Sequence, residues 1–156
     1  MRSIIILKEN IVKHVLFFYA FVYCNLQMFG AVHFTMNDNC LKAQALLYEL
    51  KLDEADKTLK TESDKDKDNL AVTWIQESAI FLKIFITEDQ SIYTQHSKTW
   101  ASLLKTAESA QFNNAWKGYV LSDMYIHRAL IHLKFAENFS AGSDIKSAFK
   151  YLKDNK

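Results

Sequence analysis

ELKLDEADKTLKTE, residues 49–62, decides the fold. One helical segment runs out near Leu50, and a second, charged one begins almost at once. Asp53 offers it a cap, Ala55 and Leu59 lie one turn apart on one side, and Lys57, Lys60 and Glu62 face outward. Two helices joined by so short a link must fold back on each other as an antiparallel hairpin.

Composition extends that pattern to the whole chain. There is no proline, only three glycines interrupt 156 residues, and 49% of the side chains are hydrophobic. Turn-rich β architectures need more punctuation than that, so the composition predicts an all-α protein. The length is enough to bury a core without help from disulfides or metal. A formal charge of +1 leaves no excess for a nucleic-acid face.

Outward from the opening stretch, Asn37 or Asp38 caps a helix through Leu41, Ala45, Leu46 and Tyr48. TESDKDKDN (61–69) reads as a solvated, mixed-charge turn. LAVTWIQESAIFLKIFI (70–86) is apolar nearly all round, with Ala71, Ile75, Ala79, Leu82 and Ile86 on one side and Trp74, Phe81 and Phe85 on another. Such a helix needs neighbours on more than one face. Thr87 and Gln90 have capping-box spacing and open a helix striped by Ile92, His96, Trp100, Leu103 and Ala107. A long helix follows from Trp116 to Phe135, then a last one carrying Ile145, Ala148, Phe149 and Leu152.

Leu50-Lys51-Leu52 and Leu133-Lys134-Phe135 echo each other, each followed by a glutamate and a second helix. Their separation suggests two repeats of about 40 residues each. In the second helices, Ala55 and Leu59, and again Ala141, Ile145 and Ala148, follow a small-bulky-small order at i, i+4, i+7. On these residues the chain resembles divergent bacterial tetratricopeptide-repeat (TPR) proteins over residues 41–155. It departs from that pattern at Glu62, where a small residue is expected, in lacking Trp-Leu-Gly before Tyr48, and in lacking proline between repeats. The resemblance implies a right-handed α-solenoid of stacked hairpins over residues 35–156. A terminal repeat needs a cover, so the apolar last helix predicts self-association or membership of a longer array.

The first 34 residues read differently. Arg2, Lys8, Lys13 and His14 precede the apolar run VLFFYAFVYC (15–24), and small residues follow at Gly30 and Ala31. That order fits a secretory signal, and Val15 to Phe34 is also long enough for a membrane anchor. A buried first helix is the remaining alternative, and would leave the chain cytoplasmic. Removing the segment leaves Cys40 as the single thiol, expected to be a small buried hydrophobe.

No nucleophile elbow, P-loop, dinucleotide fingerprint or Cys-x-x-Cys occurs, so neither catalysis nor a cofactor is expected. His127 and His132 are five apart and do not share a helix face, which points away from metal. The aromatics Trp74, Tyr93, Trp100, Trp116 and Tyr119 are the candidates for a partner-binding groove beyond their use as core. The sequence therefore predicts a non-catalytic protein-interaction scaffold for a protein or peptide partner. The alternative is a membrane-tethered sensor holding a small ligand near Trp74 or Trp100.

Overall fold

The computed structural model describes residues 32–111 and 115–154, and residues from Val32 onward form one compact unit. The signal or anchor segment, with Cys24, lies outside the described residues except at Val32, His33 and Phe34. The described residues are all-α: α1 (Asp38–Tyr48), α2 (Leu52–Lys65), α3 (Leu70–Thr87), α4 (Gln90–Ser109), α5 (Ala115–Lys134) and α6 (Asn138–Lys153).

Burial follows helical spacing. Cys40, Ala43 and Leu47 face inward from α1, and Trp100, Leu104 and Ala107 from α4. On α2 the inward row is Ala55, Leu59 and Glu62, and on α6 it is Ala141, Asp144 and Ala148. Both α2 and α6 thus pack through small residues, which lets the helices approach closely. Leu70 through Ile75 are buried without a break, because α3 packs against α1, α2, α4 and α5 together. With a mean hydropathy of 1.4 over 18 residues, α3 is the one helix among the described residues apolar and long enough to cross a bilayer. Four helical neighbours pack against it, and 39% of that stretch is buried.

Three details of the pattern are corrected. Asp89, not Thr87, caps α4: Glu88 adopts a left-handed conformation that ends α3, so Thr87 stays in the last turn of α3 and bonds back to the Lys83 carbonyl. Asp53 caps nothing, because α2 already begins at Leu52 and Asp53 lies in its first turn. Glu62 is not outward but only 5% exposed, since Asn37 and Asn39 each donate a side-chain hydrogen bond to it at 2.6 Å. Along the stripes, Ile84 is buried where Ile86 is half exposed, and Leu104 lies deeper than Leu103.

The joints between α1 and α2, α3 and α4, and α5 and α6 are built alike. Leu50, Glu88 and Ala136 are the non-glycine residues with positive φ among the described residues, at 59°, 53° and 60°. In each case the carbonyl of the following residue accepts from the amide four positions on: Lys51 from Ala55, Asp89 from Tyr93, Glu137 from Ala141. The first and third joints also close the same C-terminal wrap, Lys51 to Leu46 and Glu137 to His132. Leu50 therefore corresponds to Ala136, three residues beyond the Leu133 that the sequence echo selects. Backbone hydrogen bonding sets this register, and side-chain identity does not.

An extended strap, Val32 to Asn37, precedes α1. His33 pairs with the backbone around Asn69, and the Asn69 side chain grips Thr35 through both its amide and its carbonyl while capping α3 at Ala71. The charged run at 61–69 is thus solvated in its middle only, because Glu62 and Asn69 are buried. Cys40 is a free, fully buried thiol.

Two stability measurements check these joints. Glycine carries no Cβ to clash in the left-handed region, so Ala136→Gly is expected to raise the unfolding free energy in urea by about 1 kcal/mol. The same change at exposed Lys146, inside α6, should lower it by about 1 kcal/mol. Asn69→Ala removes a cap and both strap bonds, and is expected to cost about 2 kcal/mol.

Candidate functional site

One acidic side chain, Glu77, interrupts the apolar length of α3, and it is fully buried. Trp100 of α4 donates Nε1–H to Glu77 Oε1 at 2.5 Å, and His127 Nδ1 of α5 lies 2.8 Å from Oε2. Both carboxylate oxygens are therefore satisfied, by side chains from two different helices. Trp74, three residues before Glu77, donates its indole N–H to Asp123 Oδ2 at 2.7 Å. Asp123 and His127 are one turn apart on α5, and His127 Nε2 lies 3.7 Å from the same Asp123 oxygen. Phe81 stacks flat on the imidazole with ring centres 4.0 Å apart.

Above this network lies a cavity of about 350 Å³. It is walled by α1 (Gln44, Leu47), α3 (Trp74, Phe81) and α5 (Tyr119, Asp123), with exposed Tyr48 also lining it. Tyr119 meets Trp74 edge-on at 5.7 Å and Trp116 edge-on at 6.0 Å, and Phe34 of the strap stacks on Trp116 at 4.6 Å. Of the aromatics predicted to form a partner groove, Trp74 and Tyr119 thus line one cavity, and Trp116 adjoins it. Trp100 sits behind it as the donor to Glu77. Tyr93 is elsewhere, stacked on Phe135 at 4.8 Å with its hydroxyl near Glu137.

A second polar cluster closes the α5–α6 joint. His132 is held between Glu137 at 2.6 Å and Asp144 at 3.3 Å, and Arg128 bonds Asp144 at 3.1 Å. These charges are spent on one another. A smaller cavity of about 230 Å³ lies between α2, α3 and α4, with Asp56, Lys83 and His96 on its wall. Among the described residues, no group of three or more His, Cys, Asp or Glu is placed to hold a metal ion.

Glu77 is the residue that sequence reasoning passed over; Asp123 and His127 are legible as an i, i+4 pair too small to hold a metal, and the structure joins that pair to Trp74 and Glu77. For Glu77 the signal was present, as the lone acid in an otherwise apolar helix. A buried carboxylate there needs donors, and Trp100 and His127 supply them. Comparison of the chain with protein-family models, with curated proteins and with solved structures returned no match.

Burial, foremost, pushes the Glu77 carboxyl above its usual range, against the lowering effect of the His127 and Trp100 bonds. Burial works to lower His127, but the hydrogen bond and charge of Glu77, then the charge of Asp123, outweigh it and raise the imidazole above 6.5. Each group binds its proton more tightly folded than unfolded. The stability this contributes is complete below the unfolded values and is lost as pH rises through the folded ones. Unfolding free energy is expected to fall as pH rises above the ordinary values of the two groups, 4.5 for the carboxyl and 6.5 for the imidazole. Glu77→Gln removes the partner that raises His127 and should flatten that slope in urea titrations. An unchanged slope would refute the pairing.

Proposed function

We propose that this chain is a non-catalytic, TPR-like interaction module that receives a protein segment on the face built by α1, α3 and α5, and that residues 15–34 export it or anchor it to a membrane. Three like-built joints support a stack of antiparallel hairpins. So does the packing order. Each first helix of a pair packs on its partner and on the next first helix, each second helix packs on the following first helix, and the backbones of α2, α4 and α6 do not approach one another closely. A solenoid whose first helices line one face has these neighbours.

The observation that carries the binding role is the cavity on that face, which joins three hairpins and combines aromatic walls with a polar floor. His127 has Glu77 against one ring nitrogen and Asp123 near the other, which suits a fixed support better than a proton shuttle. The small-ligand sensor is the second reading, favoured by the same cavity at Trp74. Exposed Ile126, Leu130 and Leu133 on α5, and Ile145, Phe149 and Leu152 on α6, support the expectation of self-association or further repeats.

Panning a displayed random-peptide library on the full-length protein tests the groove. Selected peptides should lose about tenfold or more in affinity to Tyr119→Ala and Tyr48→Ala, both exposed rim positions, with circular dichroism unchanged. Phe149→Ala, on α6 and outside the cavity lining, should bind them normally. Failure to select any peptide, or selection of peptides indifferent to Tyr119 and Tyr48, overturns the groove.

A further inference from the structure

We propose that the α1/α3/α5 cavity is an anchor site for a lysine side chain of the bound segment, its ammonium seated on Asp123 among the rings of Trp74, Phe81 and Tyr119. This rests on the peptide-groove reading above and names what the groove recognises.

Charge complementarity carries the inference. Asp123 and His127 line the cavity, Glu77 lies directly behind His127, and among the described residues no lysine or arginine lines it. Two carboxylates against one imidazole leave the floor negative whenever His127 holds a proton and both acids are ionised. An anionic ligand is repelled. A purely apolar side chain would cover Asp123, which is 28% exposed, and strip its water without returning a partner. A cation returns one, and the aromatic walls add the attraction of ring faces for a positive charge.

The choice of ammonium over guanidinium follows from the acceptors. Asp123 Oδ2 already accepts from the Trp74 indole, so Oδ1 is the oxygen with both lone pairs open to a ligand. A guanidinium fork wants both oxygens of a carboxylate, whereas an ammonium makes single bonds to separate acceptors. Two further acceptors line the same cavity. Ser78 Oγ uses its proton on the Trp74 carbonyl and keeps its lone pairs, and Gln44 directs its amide N–H toward Tyr48, leaving its carbonyl oxygen. Three acceptors match the three protons of an ammonium. The aliphatic stem of the lysine would lie along Leu47 and Phe81, as long cationic side chains do on apolar surface.

The test uses peptides selected on the full-length protein, each resynthesised with lysine, Nε-acetyl-lysine, norleucine or arginine at every cationic position, and titrated by calorimetry. One lysine should be required. Its acetylation or replacement by norleucine should weaken binding about tenfold or more, and arginine should bind more weakly than lysine. That loss should vanish in Asp123→Asn, whose amide oxygen can still accept from Trp74, so the network beneath is preserved. Selected peptides that bind without any lysine requirement, or that suffer the same acetylation penalty in Asp123→Asn, overturn the cation site while leaving the groove. If n-butylammonium chloride displaces the peptides at concentrations near their own, the occupant is a free amine and the peptide source is overturned. Failure to select peptides at all removes the groove and this site with it.

Discussion

The structure depends on one buried carboxylate. Glu77 sits where three helices meet, and its two oxygens are answered by Trp100 from α4 and His127 from α5. One of these helices directly follows α3 and the other is the next in the chain, so the carboxylate ties α3 to both. A half-satisfied acid in that place would cost several kcal/mol; a fully satisfied one fixes how far α4 and α5 can slide or rotate on α3. Apolar packing alone, being non-directional, sets no such register. The strap and α2 repeat the solution on a smaller scale, with Glu62 held by Asn37 and Asn39 and Asn69 holding Thr35.

Much of the architecture is legible along the chain because it is local. Ala55 and Leu59 face inward as their spacing implies, and the unbroken apolar run at Leu70 to Ile75 is wrapped by neighbours on all sides. The joints are less legible. Leucine, glutamate and alanine occupy the left-handed positions where glycine or asparagine is the usual signal, so nothing in the residue type announces them. The echo of Leu-Lys-Leu in Leu-Lys-Phe then attracts an alignment three residues out of register. Asp89 is hidden for a related reason: the turn at Glu88 decides which acid caps α4, and capping-box spacing at Thr87 competes with it.

The site is harder to read than the fold because its partners lie far apart. Trp74 reaches Asp123 and Glu77 reaches His127 across 49 and 50 residues. Aromatic content shows that such side chains exist, and helical period shows which face of its own helix each occupies. Neither says that Trp74 and Tyr119 share a wall while Tyr93 packs on Phe135 in another cluster. The exposed rows on α5 and α6 are legible in the opposite sense. Ile145, Phe149 and Leu152 read as core by spacing, and they remain 40% exposed or more because no described helix lies over them.

The buried network and the groove above it are one construction. Trp74 lines the cavity and has its indole N–H fixed on Asp123; His127 has one edge on Glu77 and a face covered by Phe81. Removing Glu77 by an apolar substitution would orphan the Trp100 indole and the Nδ1 edge of His127 together, while the Trp74–Asp123 bond would remain. That coupling makes the floor of the cavity stiffer than an aromatic pocket on a purely apolar core. A stiff floor leaves less side-chain freedom to be lost when a ligand binds. The energetic penalty of burying an acid in α3 is thus tied to the precision of a surface one residue layer away, and the two would be expected to change together in any variant that alters either.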